Sequence, residues 1–194
     1  SADVATQMNP QDGLYTLSER SAAGIGVRLG GHVRRVLVAS EQPEAVIAEL
    51  AAPSTRIASF TVTEKGYCRA ADGSLDFSLA HSQSLYYFVT QGLRRRRDAG
   101  LPGLTLLSCD NLADNGRQLE VLMQAYIARH EPDLLDWFAD NCACPATMID
   151  RIVPATTDAD RKAVAGISGL DDAAAAVTEP FSQWVIEDRF AGPR

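Results

Sequence analysis

The sequence predicts an α/β fold: a partial Rossmann-like, mainly parallel sheet with flanking helices and an antiparallel β-hairpin near the N-terminus. Two observations predict it. Helical and strand-like patterns alternate along most of the 194 residues, which is typical of parallel strands joined by crossover helices. Hydrophobic residues make up 46% of the chain, which is enough to bury one sizeable core.

The hairpin is predicted by strand-like alternation in residues 14–17 and 33–38, with glycines between them; two edge strands would fit equally well. Gly24 and Gly26 have the spacing of the first two glycines of a dinucleotide-binding loop. The third glycine position is occupied by Leu29, however, and the residues that follow are typical of a strand and not of a helix. We therefore assign no phosphate-binding loop to this segment.

Two helix and strand pairs follow. Residues 43–51 place Val46, Ile47 and Leu50 on one helical face, and residues 57–63 form an apolar run typical of a buried strand. Residues 84–97 repeat the helical pattern, and residues 104–107 repeat the strand pattern. Arginines occupy positions 94–97 in the last helical turn, where cations complement the helix dipole, so we interpret them as a solvated helix end.

The remaining elements are shorter, apart from one long helix. Residues 115–118 (N-G-R-Q) have the spacing of a capping box, and the apolar pattern after them predicts a helix that ends near His130. We also predict a short helix over residues 134–138, a strand or extended loop over 142–152, and a last strand or extended loop over 177–186.

Charge and hydropathy exclude two classes of partner. The 25 acidic and 18 basic residues give a net charge of -7, whereas a phosphate-backbone binder needs a basic face. No stretch approaches the roughly 20 uninterrupted apolar residues of a membrane span. The first ten residues also lack the basic and apolar regions of a signal peptide. We expect a cytoplasmic protein that binds neither nucleic acid nor membrane.

The four cysteines are spaced too irregularly for a disulfide scaffold. Cys142 and Cys144 form a C-A-C pair that could be interpreted as a metal-binding pair. No histidine lies near that pair in the sequence, and a free cysteine behaves mainly as a small apolar residue. We therefore predict reduced, mostly buried thiols and assign no metal.

Polar residues follow both predicted parallel strands, and ligands of such sheets bind beyond the carboxyl ends of the strands. Thr63 and Glu64 follow the first strand, and Asn111 follows the second. An asparagine amide can donate a hydrogen bond to a carbonyl or alkoxide oxygen without carrying a charge. Spacing alone favours the more common roles of such an asparagine, those of turn former and helix cap.

Five ordered sequence blocks resemble the mannitol dehydrogenase family of long-chain secondary alcohol dehydrogenases. They are residues 11–17 (Q-D-G-L-Y-T-L), 61–68 (T-V-T-E-K-G-Y-C), 108–112 (S-C-D-N-L) with Asn115 and Gly116, 147–154 (T-M-I-D-R-I-V-P) and 179–188 (E-P-F-S-Q-W-V-I-E-D). The second and fourth blocks are most similar to the fructuronate reductase (D-mannonate oxidoreductase) branch, so we assign the chain to that branch.

The resemblance implies a metal-independent hydride transfer between NAD and a secondary alcohol, with D-mannonate and D-fructuronate as the predicted substrate pair. The alternative within the class is a mannitol or arabinitol 2-dehydrogenase. An alternative of another class is a catalytically inert Rossmann-like binding or interaction module. NAD and NADP are not distinguished, because the residue that selects between them follows the second strand of the fold, which is about where this chain begins.

The resemblance also implies roles for individual residues. Asn111 would help to hold the reacting oxygen, and Asp150 would lie beside the nicotinamide and the substrate. We predict Ile149 and Thr63 as further cofactor-binding residues. Glu64 would line the active-site side of the domain. Its role there could be the transfer of protons or water, and ordinary hydrogen bonding is an equal alternative. We interpret Arg151, which follows Asp150, as a structural ion-pair partner.

By the same resemblance, residues 1–194 form part of an N-terminal Rossmann-type domain. The family's glycine-rich loop would precede this chain, and its general-base lysine, in a K-x-x-x-x-N-x-x-H helix of a C-terminal helical domain, would follow it. Lys65 matches a subfamily marker and is not promoted to that base, because an exposed lysine is protonated at neutral pH. We expect the isolated chain to be inactive. We also expect that its exposed sheet edge and domain-interface surface can lead to self-association.

Overall fold

A computed structural model describes residues 2–192, without the side chain of Glu64. The chain divides into two compact units: Ser1–Val38 with Asp150–Gln183, and Ala39–Ile149 with Trp184–Arg194. The helices are α1 (Ala2–Met8), α2 (Pro43–Ala51), α3 (Thr63–Gly66), α4 (Leu85–Asp98), α5 (Asn115–His130), α6 (Leu135–Asn141) and α7 (Asp158–Ser168). The strands are β1 (Tyr15–Ser21), β2 (Gly24–Gly30), β3 (Ile57–Phe60), β4 (Thr105–Ser108), β5 (Thr147–Asp150), β6 (Ala176–Thr178) and β7 (Gln183–Ile186).

The first unit contains the predicted hairpin, formed by β1 and β2 from Tyr15 opposite Gly30 to Ser21 opposite Gly24. β6 pairs in parallel with the other edge of β1. The prediction of a strand over residues 33–38 was wrong. Both main-chain groups of Val36 bond to the side chain of Asn9, at 2.8 and 2.9 Å, so this segment is tied down by a side chain instead of a strand ladder. Gly24 and Gly26 lie in β2, which confirms that they do not form a phosphate loop.

The second unit contains the parallel pair β3 and β4, in register from Ile57 opposite Thr105 to Phe60 opposite Ser108. A parallel bridge from Thr105 to Ala143 extends the same arrangement beyond β4. Each crossover between these segments contains a helix, as predicted for an α/β fold. Every residue of β4 is buried, whereas residues of β3 alternate between exposed and half-buried. The prediction of a buried first strand was therefore wrong for β3.

The long helix α5 begins differently from the predicted capping box. Asp114, with φ of 49°, precedes the helix in the left-handed region, and its side chain makes no capping bond. Asn115 already lies in the first helical turn and is fully buried. Gly116 lets the start of α5 lie close to the main chain of Pro145, since a Cβ at position 116 would lie 2.4 Å from the Pro145 carbonyl oxygen.

The arginine run at the end of α4 is not entirely a solvated helix end. Arg96 is 1% exposed and donates to the carbonyl oxygens of Pro102 at 2.7 Å and Ala52 at 2.7 Å. Burial lowers the pKa of Arg96, although the carbonyl oxygens satisfy its N–H groups. This arginine therefore joins the end of α4 to the segment after α2. The sequence could not show which of the four consecutive arginines has this role.

The cysteines are free, as predicted. Cys68 and Cys144 are buried, and Cys109 and Cys142 are partly buried. Burial raises the pKa of Cys144 to about 12 and that of Cys142 to about 11, so both thiols are protonated at neutral pH.

Candidate functional site

The carboxyl ends of β3 and β4 form one edge of the second unit. The ladder between the two strands continues past β4, because the Cys109 N–H donates to the Phe60 carbonyl at 2.7 Å. Beyond this bond the two chains separate into polar segments. One contains Thr63 and the other contains Asn111. Both predicted site residues thus follow strands that are hydrogen-bonded neighbours.

Asp110 joins these two segments through its carboxylate. It is 9% exposed and accepts hydrogen bonds from the Val62 N–H at 3.0 Å, the Thr63 N–H at 3.1 Å and the Tyr67 hydroxyl at 3.0 Å. Two of these donors are main-chain groups that would otherwise be left without a strand partner. The carboxylate therefore fixes the backbone of residues 62 and 63 beside the residue that precedes Asn111. We call Asp110, its two main-chain donors and Tyr67 the Asp110 clamp.

Tyr67 is fully buried, and its hydroxyl bonds to Ser108 as well as to Asp110. Burial raises the pKa of Tyr67 to about 12; the bond to Ser108 acts against this shift, and the charge of Asp110 adds to it. The phenol is consequently a neutral hydrogen-bond donor at any physiological pH. The hydroxyl of Tyr86 donates to the main-chain carbonyl of Tyr67 at 2.8 Å and holds the segment from a second side.

Asn115 makes a second connection, between the end of β4 and the start of β5. Its amide nitrogen donates to the carbonyl oxygens of Asp110 at 2.9 Å and Thr147 at 3.0 Å, and its oxygen accepts from the Thr147 N–H at 2.9 Å. The Thr147 hydroxyl also bonds to the carbonyl of Ser108. The strand that contains Ile149 is therefore tied to the same edge as Asn111.

The predicted cofactor-binding residues differ in how the structure holds them. Thr63 is exposed and has φ of 60°, a left-handed conformation that is rare for a β-branched residue and costs of order 1–3 kcal/mol. Ile149 is 39% exposed at the end of β5. Asp150 is exposed and belongs to the first unit. That Asp150 converges with Asn111, which belongs to the second unit, stays a prediction.

The predicted catalytic residues are Asn111 and Glu64. Asn111 is exposed, and within the described part of the chain no residue bonds to its side chain. Its amide is thus free to meet a ligand, while its backbone follows directly from the fixed Asp110. Glu64 lies in α3, but its side chain is outside the described part of the structure, so its assignment stays a prediction. Arg151 is confirmed as a structural ion-pair partner, at 3.0 Å from Glu19.

Sequence reasoning missed the residues that build this edge, namely Tyr67, Ser108, Asp110 and Asn115. Asp110 and Tyr67 lie inside the quoted blocks, but nothing in one sequence pairs a carboxylate with main-chain groups 47 and 48 residues earlier in the chain. Asn115 was interpreted as a cap because its side chain type is common at that position.

A small concavity of about 250 Å³ opens beside the clamp, lined by Tyr67, Arg69, Ala70 and Leu112. Leu112, which follows Asn111 in the chain, is one of the lining residues, whereas Asn111 itself is not. A larger cavity of about 850 Å³ is lined by Ile57 and Thr105, at the amino ends of β3 and β4. Ligands of parallel sheets bind at the carboxyl ends, so we assign the site to the smaller concavity.

The described residues contain neither a metal-binding cluster nor a membrane-spanning helix. Among residues 2–192, apart from the Glu64 side chain, no three or more histidine, cysteine, aspartate or glutamate residues cluster as metal ligands would. In the same part of the chain, no helix is both long and apolar enough to cross a bilayer.

The family model of the mannitol dehydrogenase Rossmann domain matches residues 1–194. The chain belongs to the mannitol dehydrogenase family. A mannitol 2-dehydrogenase of Pyricularia oryzae is 40% identical over 206 aligned residues, which cover 100% of this chain and 41% of the relative. The match confirms the α/β, Rossmann-like class and the family recognised from the five sequence blocks.

Two solved structures share the fold of this mannitol dehydrogenase family domain. The structure of a D-sorbitol dehydrogenase in substrate-free form is 37% identical, with a TM-score of 0.91 over 98% of this chain and 42% of that one. The ternary complex of Pseudomonas fluorescens mannitol 2-dehydrogenase with NAD and D-mannitol is 36% identical, with a TM-score of 0.89 over 100% of this chain and 42% of that one. The chain therefore spans less than half the length of these relatives. All three are polyol dehydrogenases by name, which favours the mannitol alternative over the sugar-acid prediction.

Proposed function

We propose that this chain is part of the Rossmann domain of a longer NAD-dependent polyol dehydrogenase, which oxidises the secondary alcohol at C2 of D-mannitol or a related polyol. The observation that carries the proposal is the whole-chain likeness to the mannitol 2-dehydrogenase complex with NAD and D-mannitol. The exposed amide of Asn111, which follows β4 at the carboxyl ends of the parallel strands, is the feature of the chain itself that supports it.

NAD, when bound, accepts the hydride from the alcohol carbon. Oxidation also needs a general base to take the alcohol proton, and the oxygen carries negative charge once that proton has left. Asn111 donates a hydrogen bond to this alkoxide-like oxygen, and the bond is stronger there than to the neutral alcohol of the ground state. The backbone on either side of Asn111 is fixed by hydrogen bonds, which supports this role, because a donor that is already in position needs little rearrangement when the substrate reacts.

The residues present fit the nicotinamide end of the coenzyme and not its pyrophosphate. Thr63 offers a hydroxyl, and Ile149 offers an exposed apolar side chain of the kind that packs against an aromatic ring. Asp150, the last residue of β5, stays a predicted cofactor-binding residue. In the described residues no glycine-rich turn joins a strand to a helix N-terminus, which is the arrangement that holds a pyrophosphate.

The proposal is tested on the complete protein that contains this chain. Reduction of NAD is followed with D-mannitol, D-sorbitol, D-arabinitol and D-mannonate, each also with NADP. We expect the highest kcat/KM with a neutral polyol and NAD. A clear preference for D-mannonate would restore the fructuronate reductase assignment, and inactivity with every alcohol would favour an inert binding module.

A further inference from the structure

The segment 62–67 is attached to the end of β4 by one carboxylate and one phenol. Asp110 accepts from the main chain at residues 62 and 63 at 3.0 and 3.1 Å, and Tyr67 returns at the other end of the segment to bond to the same carboxylate at 3.0 Å. The segment is therefore closed into a loop whose two ends meet at Asp110. No part of the proposed chemistry uses either group directly.

We propose that Asp110 and Tyr67 are positioning residues that set the spacing between Thr63, on the coenzyme side, and Asn111, on the alcohol side. This inference rests on the proposed dehydrogenase function. Hydride transfer depends on the distance and angle between coenzyme and alcohol, and a displacement of about 1 Å can cost roughly 100-fold in rate. A connection between the segment that contains Thr63 and the segment that contains Asn111 therefore helps to set the distance between coenzyme and alcohol.

The conformation of Thr63 supports a positioning role. A threonine with φ of 60° is strained, and such a residue persists only where its surroundings hold it. The bond from its N–H to Asp110 supplies that hold. Without the carboxylate, Thr63 has reason to return to an extended or right-handed conformation, which would move its hydroxyl relative to Asn111.

The burial of Tyr67 supports the same role. Tyr67 is fully buried and its hydroxyl is already bonded to Ser108 and Asp110, and the phenol stays protonated because burial raises its pKa to about 12. The phenol O–H donates to the Asp110 carboxylate, so the phenol oxygen is left to accept from the Ser108 hydroxyl, and the two bonds together fix the position of the ring. Partners that orient the ligands of a metal site change activity by about 10-fold to 100-fold when removed, and we expect an effect of the same order from a group that positions a segment of this site.

The test compares two pairs of variants in the complete protein. Asp110→Asn keeps the shape of the side chain but turns an N–H group towards one of its main-chain donors, and Tyr67→Phe removes only the hydroxyl. Asp172→Asn is the matched control for the first, since Asp172 is also buried and also accepts from main-chain N–H groups, in the first unit. Thr105→Val is the control for the second, because it removes a buried hydroxyl at the opposite end of β4.

We expect kcat with D-mannitol to fall about 10-fold to 100-fold in Asp110→Asn and about 10-fold in Tyr67→Phe, with KM changed by less than about 3-fold. The folded fraction of both controls should keep the wild-type kcat. Because the two groups act as one clamp, the double variant should lose little more than Asp110→Asn alone. Unchanged kcat in both clamp variants, or equal losses in the controls, would overturn the proposal.

A second readout does not depend on activity. Amide hydrogen exchange at residues 62 and 63 should become faster in Asp110→Asn and Tyr67→Phe and stay the same in both controls. If the wild-type protein oxidises no polyol, the proposed function fails, and the exchange rates alone decide whether the clamp holds the segment. If Asp110→Asn does not fold, Tyr67→Phe carries both measurements, and unchanged exchange in that variant would overturn the clamp.

Discussion

Asp110 in the second unit and Asp172 in the first are two buried aspartates that hold loops in the same way. Asp172 is 7% exposed and accepts from the Thr16 N–H at 2.5 Å, the Thr16 hydroxyl at 2.6 Å, Gln11 at 2.6 Å and the Ala174 N–H at 2.8 Å. Asp110 accepts from two main-chain N–H groups and one hydroxyl. Each carboxylate satisfies donors that the strand ladders leave unpaired.

The surroundings of the two carboxylates differ, and that difference distinguishes the candidate functional site from a purely structural connection. Next to Asp110 lie an exposed asparagine without a bonding partner among the described residues, a strained threonine and a concavity. Asp172 is bonded to the first strand and to its own loop. A buried carboxylate therefore indicates a fixed loop, and only its neighbours indicate chemistry.

The largest effect is expected for the residue beside Asp110. Asn111→Ala in the complete protein should lower kcat by roughly 100-fold or more and leave the affinity for the coenzyme little changed, because it removes one donor to the reacting oxygen. Steady-state kinetics with D-mannitol and NAD measure both. The equivalent control is Asp171→Ala, which changes the exposed neighbour of Asp172 and should leave kcat unaltered. An unaltered kcat in Asn111→Ala would return Asn111 to the role of a turn former.

The next effect concerns stability in the first unit. Asp172→Asn turns an N–H group towards groups that are themselves donors, so a buried donor is left without an acceptor. The free energy of unfolding should therefore fall by roughly 2–3 kcal/mol. Urea unfolding of the 194-residue chain measures this loss. Asp171→Asn, an exposed change of the same kind, should shift the free energy by less than about 0.5 kcal/mol. Equal values for the two variants would mean that the bonds to Asp172 contribute nothing net.

Local patterns predicted α2, α4, α5 and α6, because each of these helices depends on residues close together in sequence, but α1, α3 and α7 were not predicted. The helix over residues 43–51 has the predicted bounds, and α5 ends at His130 as expected. The hairpin strand was misplaced because Val36, in an alternating apolar run, bonds to Asn9 from 27 residues away. The four residues of the run 94–97 look alike in sequence, and only packing selects Arg96 for burial.

The sequence predicted which edge of the sheet to consider as the site, but not the residues that build that edge, and the site residues themselves stay a prediction. Asn111 and Thr63 follow adjacent strands, so the rule for parallel sheets identifies the edge. The Asp110 clamp depends on contacts between residues more than 40 positions apart, which periodicity does not encode. The identity of the substrate depended on blocks such as T-E-K-G-Y-C, and relatives matched over the whole chain favour a polyol instead.

The two regions should also differ in the pH range where they lose stability. Burial acts to raise the pKa of Asp172, but the bonds from Thr16, Gln11 and Ala174 outweigh it and bring the pKa below 3.8. Its contribution is therefore present above pH 3.8 and is lost as the pH falls through the lower, folded value. The pKa of Tyr67 is raised from 10.0 to about 12, so its contribution is complete below pH 10.0 and is lost as the pH rises towards 12.

Unfolding measured against pH checks this contrast. Tyr67→Phe should remove part of the alkaline loss, by up to about 1.4 kcal/mol per pH unit, and leave the acid limb unchanged. Asp172→Asn should flatten only the acid limb. If Tyr67→Phe leaves the alkaline limb as steep as in the wild type, the phenol does not titrate as the buried group described above.

The smallest effect is expected for coenzyme binding by the 194-residue chain alone. The Asp110 clamp orders one edge of the sheet, but in residues 2–192 no glycine-rich turn presents main-chain N–H groups at a helix N-terminus, which is the usual anchor for a pyrophosphate. Contacts from Thr63 and Ile149 to a nicotinamide ring would leave a dissociation constant of about 1 mM or weaker. Calorimetric titration with NAD, on a chain whose circular dichroism shows it folded, measures this value, and light scattering on the same sample tests the predicted self-association. Micromolar binding, or any NAD reduction with D-mannitol, would mean that this chain itself contains the coenzyme anchor. The edge fixed by Asp110 would then contribute to coenzyme binding as well as face the alcohol.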